Sequence, residues 1–312
     1  MHHESGPSVA VLIPCFNEAA AIATVVNDFR KVLPDARIYV FDNNSSDDTV
    51  NVARAAGAEV RNESRQGKGN VIRRMFADVD ADIYLMVDGD ATYDAASAPK
   101  MIDLLREQGL DMVVACRKST DADAYRTGHK LGNRVLTGTV GRIFGNVMHD
   151  ILSGYRVFSR RFVKSFPAFA EGFQTETELT VHALELRLPV AEVDTPYFAR
   201  PEGSDSKLNT WSDGFRILMT ILRLFALEQP FRFFSMFALM FFIFANALFV
   251  PILLEYFDTG LVPRLPTLII AVAAYGFTLV SLSFGIILHA LTVGRLEARR
   301  LAYLAVKPCA RN

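Results

Sequence analysis

Residues 84–94 read YLMVDGDATYD, an apolar run that ends in two aspartates one glycine apart, Asp88 and Asp90. Asp and Gly are common turn residues, and such a pair can do no more than end a strand. A carboxylate pair at the end of a buried strand also suits Mg2+ or Mn2+, hard cations that take oxygen ligands and bridge to phosphate oxygens. Held there, such an ion offsets the charge that develops on a diphosphate leaving group. D-x-D alone is a weak signal, and its weight depends on its companions.

Those companions fall where other short apolar runs end. SVAVLIP (8–14), RIYVF (37–41), IYLMV (83–87) and MVVAC (112–116) have the content of strands, with a shorter one near Ala58–Val60. Between them, EAAAIATVVNDFRKVL (18–33) carries an amphipathic helical pattern, and further helices are expected from about Asp47 and from Gly69 to about Asp78. Strands alternating with helices predict an α/β domain, a mostly parallel sheet with helices on both faces. Ligands of such sheets sit at the carboxyl ends of the strands. PCFNE follows the first strand, DNNSSDDT the second, DGD the fourth and Arg117 the fifth. Turn chemistry alone does not account for four polar strand ends.

The composition is uneven. Apolar residues make up 51% of the 312 positions, and the excess lies near the end. Phe233–Leu254 carries no Asp, Glu, Lys or Arg, and neither does Leu265–Gly294. A membrane span needs roughly 20 apolar residues, so both stretches qualify, where buried core helices are usually shorter. Arg223 and Arg232 precede the first stretch; Arg295, Arg299, Arg300 and Lys307 follow the second; the connection 255–264 has Glu255, Asp258 and one basic residue, Arg264. The positive-inside rule then predicts a multi-pass protein of the inner (cytoplasmic) membrane, with both termini and residues 1–230 cytoplasmic. MHHESGPS lacks the apolar region of a signal peptide. A net charge of −1 gives no global pull toward nucleic acid. Cys15, Cys116 and Cys309 form neither a zinc spacing nor a disulfide framework. In 124–145, Arg126, Lys130 and Arg134 recur every fourth residue against an apolar side of Leu131, Val135, Leu136, Ile143 and Phe144. That pattern suits an anionic membrane surface or a solvated basic helix face. TWSDGFRILMTILRLFALEQP (210–230) is a second amphipathic segment, with Trp211 placed as an interfacial anchor.

Taken together, the motifs IPCFNE (13–18), VFDNNSSDDT (40–49), QGKGN (66–70), VDGDATY (87–93), ACR (115–117), DILSGYRVFSRR (150–161), GFQTETEL (172–179) and RPEGSDSKL (200–208) resemble family 2 of the nucleotide-sugar-dependent glycosyltransferases. Within it they resemble the membrane-bound polyprenyl-phosphate (dolichol-phosphate-type) sugar transferases, from Val9 to about Leu208. The resemblance implies a GT-A (Rossmann-like) cytoplasmic domain and inverting transfer of a sugar from a nucleotide-sugar donor to polyprenyl phosphate. A UDP-sugar is the favoured donor, with GDP-mannose the other candidate. By position, Pro14, Phe16, Asn17 and Glu18 would line the nucleotide pocket, Asp42 would contact base or ribose, and Lys68 between Gly67 and Gly69 would close the nucleotide side. Asp88 would bind near the ribose and the metal, and Asp90 would coordinate the metal on the diphosphate. Arg117 and Lys207 would meet the acceptor phosphate with Arg126, Lys130 or Arg134, any of which could be the ligand from that stripe, while Arg200 and Lys207 close over the diphosphates. The implied organisation is a transferase domain at 1–208 with an acceptor-side segment at 124–147, juxtamembrane helices at 209–232, spans at 233–257 and 265–294, and a cytoplasmic tail at 295–312.

A lipid phosphate is ionised near neutral pH and attacks an anomeric carbon without a strong base; it needs positioning and screening. Asp150, Glu176 and Glu178 are the remaining carboxylates with a claim to orient ligands or act as base. His129, His149 and His182 share no ligand spacing, and His289 reads as a packing residue of the second span. Two other functions compete. A transferase making a polysaccharide or acting on another lipid typically carries Q-x-x-R-W before its spans, and no such pentapeptide occurs here. A non-catalytic membrane scaffold would not need Asp88, Asp90, Arg117 and Arg200 intact. Gly276 and Gly285 suit close packing of the spans against copies of the chain, as a homo-oligomer.

Overall fold

In the computed structural model the apolar runs become β1 (Val9–Cys15), β2 (Arg37–Asp42), β3 (Glu59–Asn62), β4 (Ile83–Met86) and β5 (Met112–Ser119). Two further strands, β6 (Arg156–Ser159) and β7 (Val190–Tyr197), complete a seven-stranded sheet in the order β3-β2-β1-β4-β6-β5-β7. Every pairing is parallel except those of β6, which runs antiparallel between β4 and β5. The mostly parallel α/β, GT-A-like architecture expected from the sequence is therefore the observed one. Residues 7–119, 148–168, 175–200, 225–227 and 229–308, with single positions at 138 and 219, are the ones the structure describes. Arg126, Lys130, Arg134, Lys207, Trp211 and His129 lie outside them, as do most of 124–147 and 209–232.

Among the described residues, six helices flank the sheet: α1 (Ile22–Val32), α2 (Thr49–Ala55), α3 (Lys68–Asp78), α4 (Ala98–Gln108), α5 (Arg160–Ser165) and α6 (Thr175–Glu185). The spacing of apolar residues decides which side each helix buries. α1 buries Ile22, Val25, Val26 and Phe29, and α3 buries Val71, Ile72, Met75 and Phe76, one stripe in each case. α4 opens with Pro99 in its first turn and stops at Gly109, whose left-handed φ of 62° suits glycine. β1 and β4 lie inside the sheet and bury Val11, Leu12, Ile13 and all of Ile83–Met86 completely, which is why they read as unbroken apolar runs. Reversal of β6 puts its first residue, Arg156, opposite Met86 at the end of β4. The residues just before β6 thus reach the edge where β1, β2, β4 and β5 end.

The chain divides into two units, residues 1–217 with 298–312, and residues 218–297. α7 (Pro230–Thr259) lies in the second unit and α8 (Leu265–Ala305) begins there; they have 30 and 41 residues. At 1.5 Å per residue they are about 45 and 60 Å long, against a bilayer hydrocarbon core of about 30 Å. α7 buries Ala238, Ala245 and Ile252, seven residues apart, and α8 buries Ala271, Ala274, Thr278 and Gly285. Leu239, Ile243, Leu279 and Ile286 remain 59–67% exposed. Such rows of uncovered apolar side chains make both helices candidate membrane spans. The two glycines singled out in the spans differ. A Cβ at Gly285 would stand 3.3 Å from the Cβ of Phe234, so its close approach is to α7 of the same chain, whereas nothing lies within 4 Å of a Cβ at Gly276. The His289 ring sits 6.5 Å from that of Phe231, a packing position.

α8 continues past Gly294, where its charge-free stretch ends, and its last turns belong with the sheet unit. Arg299 pairs with Glu185 of α6, the Tyr303 hydroxyl donates to Asp111 Oδ2 at 2.9 Å, and Arg161 Nε donates to the Val306 carbonyl at 2.9 Å. Residues 298–306 are therefore a packed part of the sheet unit.

Candidate active site

The first loop of the site is built by β1 and β2 together. Asn17 adopts a left-handed φ of 54°, which turns the chain sharply after β1. Its amide donates to Ser45 Oγ at 2.8 Å while its Oδ1 accepts from the Ser46 amide at 2.7 Å. The Glu18 amide donates to Thr49 Oγ1 at 2.9 Å. FNE and NNSSDDT are thereby laced into one rim, with Pro14 and Phe16 half-buried beside it. Asp42, at the end of β2, is 4% exposed; its Oδ2 accepts from the Ser45 amide at 3.2 Å. Its Oδ1 is buried with no hydrogen-bond partner among the described residues. A buried carboxylate oxygen left without a donor is costly, and a ligand N–H or O–H would satisfy it.

Asn43 then holds the QGK loop. Its carboxamide nitrogen donates to the carbonyls of Glu63 and Arg65 at 2.9 and 2.8 Å, and its Oδ1 accepts from the Gly67 amide at 2.7 Å. Gly67 has a φ of 127°, which an L side chain rarely adopts, and it delivers Lys68 to the first turn of α3. The Lys68 ammonium lies 2.6 Å from Asp88 Oδ1 and 2.5 Å from Glu176 Oε1. Burial alone would lower its pKa, but the two carboxylates override that and hold it above the ordinary lysine value.

The two aspartates of DGD occupy different environments. Asp88 is half-buried, and Gly154, just before β6, lies against it: a Cβ there would stand 2.3 Å from Asp88 Oδ2. Gly89 fits for a similar reason, since a Cβ would stand 2.6 Å from the Cys15 sulfur, and the buried Cys15 is a packing residue. Asp90 is 4% exposed, accepts from Thr92 Oγ1 at 2.7 Å and pairs with Arg200 at 2.8 Å. Burial, and then the neighbouring Asp88 charge, push its pKa up against the pull of Arg200. Arg200 arrives because the chain after β7 crosses DGDATY: Tyr197 bridges Tyr93, and the Phe198 amide donates to the Thr92 carbonyl at 2.9 Å.

On the β5 side, Arg117 makes a two-pronged contact with Asp150, both N–O distances being 2.7 Å. Its guanidinium carbon lies 5.5 Å from the centre of the Tyr197 ring. Burial would raise the pKa of Asp150, but the hydrogen bonds and charge of Arg117 bring it below the usual carboxylate range. Glu192 of β7 supports the Asp150 turn by accepting from the amides of His149 and Asp150 at 2.8 and 3.2 Å. The Tyr93 hydroxyl, which accepts from the Gly154 amide at 2.9 Å, has both the Arg117–Asp150 pair and Asp88 around it.

Residues 10–166, just over half of the chain, match the family model described as glycosyl transferase family 2. The chain belongs to that family. Glycosyltransferase AglJ of Haloferax volcanii is 36% identical over 230 residues, spanning 73% of this chain and 75% of the relative. A dolichyl-phosphate hexose transferase of the same organism is 26% identical over 224 residues, spanning 72% and 96%. Among solved structures, glucosyl-3-phosphoglycerate synthase from Mycobacterium tuberculosis, in complex with Mn2+, UDP-glucose and phosphoglyceric acid, aligns with a TM-score of 0.58 at 25% identity. It covers 70% of this chain and 79% of that one.

Pro14, Phe16, Asn17, Glu18, Asp42, Lys68, Asp88, Asp90, Arg117 and Arg200, the described residues among those expected at the site, all lie at one edge of the sheet. Asn43, Gly154, Tyr93 and Glu192 escaped the sequence reading, because their roles depend on partners distant in sequence. Glu176, whose role the sequence left open, meets Lys68, and Asp150 meets Arg117. His182 is buried, its Nε2 3.2 Å from Ser165 Oγ, with the rings of Phe162 and Phe166 edge-on to it.

Proposed function

We propose that the chain transfers a sugar from a nucleoside-diphosphate donor to a polyprenyl phosphate at a membrane surface, with inversion at the anomeric carbon. The observation that carries this is the triple pairing at the sheet edge. Lys68, Arg200 and Arg117 are each held on a carboxylate, namely Asp88, Asp90 and Asp150. Cations preset in this way suit two polyanionic ligands that must approach one another, one from each side. Asp42 Oδ1 would accept an imide N–H of the base, and the rim through Asn17 and Glu18 would line the nucleotide. A uridine donor fits an acceptor-only carboxylate, as does a guanine N–H.

Asp88 and Asp90 fit a divalent cation: both are oxygen donors, and a positive ion held there would offset both the burial and the Asp88 charge that raise Asp90. Mg2+ or Mn2+ bound there would neutralise the departing diphosphate. Arg200 would close over the same diphosphate. Arg117, stiffened by Asp150 and Tyr197, would hold the acceptor phosphate in line with the anomeric carbon, joined by the basic residues of 126–134 and Lys207. The exposed apolar surfaces of α7 and α8 favour a lipid acceptor over a soluble one such as phosphoglyceric acid. The flanking arginines support a cytoplasmic sheet unit with both termini on the same side. Incubating the protein with polyprenyl phosphate, Mn2+ and a panel of labelled nucleotide sugars tests the proposal. One label should enter the organic phase and stay out of it in EDTA. Label in a water-soluble polymer or on a soluble phosphate would replace the acceptor, and no transfer with any donor would leave the scaffold function standing.

A further inference from the structure

Lys68 occupies a position that a ligand-binding residue need not occupy at rest. Its ammonium does not extend toward open solvent; it bridges two carboxylates from different elements, Asp88 after β4 and Glu176 in the first turn of α6. Glu176 is 3% exposed and its second oxygen, Oε2, is buried with no hydrogen-bond partner among the described residues. One cation thus serves two anions, and the fully buried Arg156 supplies further positive potential to Glu176. A buried carboxylate with a free oxygen has capacity for a second contact with the same ammonium. Asp88 has the opposite need, because the oxygen that Lys68 engages is one of those available to a divalent cation.

We propose that Lys68 is a resident counterion of Asp88, and that Glu176 is the positioning residue that retains the ammonium when Asp88 releases it. This rests on the assignment of Asp88 and Asp90 to the metal. A divalent cation alone must compete with the ammonium for Asp88 and is repelled by it at short range. Accompanied by a nucleoside diphosphate, the cation brings phosphate oxygens to which Lys68 can turn while it stays on Glu176. Metal and nucleotide are then taken up as a coupled pair, and a loose metal ion is refused.

The test uses the full chain in detergent, with free Mn2+ followed by electron paramagnetic resonance, alone and with UDP or GDP. Wild type should bind Mn2+ weakly alone and much more tightly with one of the nucleotides. Lys68→Met should bind Mn2+ alone at least about tenfold more tightly than wild type and show a smaller gain from nucleotide. Glu176→Gln leaves Lys68 wholly on Asp88 and should bind Mn2+ alone more weakly than wild type. Unchanged or weakened binding by Lys68→Met overturns the proposal, and so does equal weakening in both variants, the mark of a purely structural role. Asp90→Ala separates the two levels: if Mn2+ binding survives it with and without nucleotide, the metal assignment itself fails.

Discussion

At the scale of single residues, the site depends on approaches that leave no spare volume. Gly154→Ala would drive a methyl group to 2.3 Å from the Asp88 carboxylate, so Asp88 must move. Nucleotide binding in the presence of Mn2+ should weaken about tenfold or more, some 1.4 kcal/mol, with the circular dichroism of wild type retained. Equilibrium dialysis giving wild-type affinity would show that Asp88 acts from some other position. Asp90→Ala should abolish transfer while the protein stays folded and membrane-bound; turnover near that of wild type would remove the metal role from this carboxylate. Arg117→Ala should act on the other substrate, raising KM for the lipid acceptor more than KM for the donor. Asp150 would then be left buried without its cation, so thermal unfolding is measured alongside to separate lost folding from lost contact.

At the scale of elements, legibility followed locality. β1, β2, β4 and β5 were readable because interior parallel strands are continuous apolar runs, and α1 and α3 because one face repeats at helical spacing. β6 escaped because four residues running antiparallel between β4 and β5 carry no periodicity of their own. Likewise Glu176 and Lys68 become neighbours only when α6 and α3 pack, which no local pattern announces. The chemistry of DGD was legible; the difference in environment between its two carboxylates was not. α6 carries a further consequence of packing. Burial, with Arg299 nearby, depresses the His182 pKa to about 3, whereas an unfolded histidine titrates near 6.5. A folded pKa below the unfolded one gives stability that is complete above about pH 6.5 and lost as pH falls toward 3. Between pH 7 and 5 wild type should lose roughly 2 kcal/mol to this one ring. His182→Leu should show a flatter fall of the urea midpoint over that range in detergent, and an equally steep fall would mean that other groups govern acid stability.

At the scale of the whole molecule, the end of the chain is part of the transferase unit. Arg299→Met would take from Glu185 the guanidinium it pairs with, a loss of about 3 kcal/mol, visible as a lower urea midpoint. Glu185→Leu together with Arg299→Met should recover much of it; no recovery would mean that the pair is not what holds the segment. Membranes washed at alkaline pH should retain the protein if α7 and α8 span the bilayer, and its release would reduce them to peripheral helices. The docking of residues 298–306 near Asp111, at the start of β5, also has a meaning in time. A ribosome adding roughly 5 to 20 residues per second leaves about 4 to 16 s between completing residue 217 and reaching residue 298. Throughout that interval Glu185, Asp111 and Arg161 wait for partners that have not been made. The catalytic sheet reaches its final packing only after the two long apolar helices have been synthesised, so enzyme maturation is tied to the completion of its candidate membrane spans.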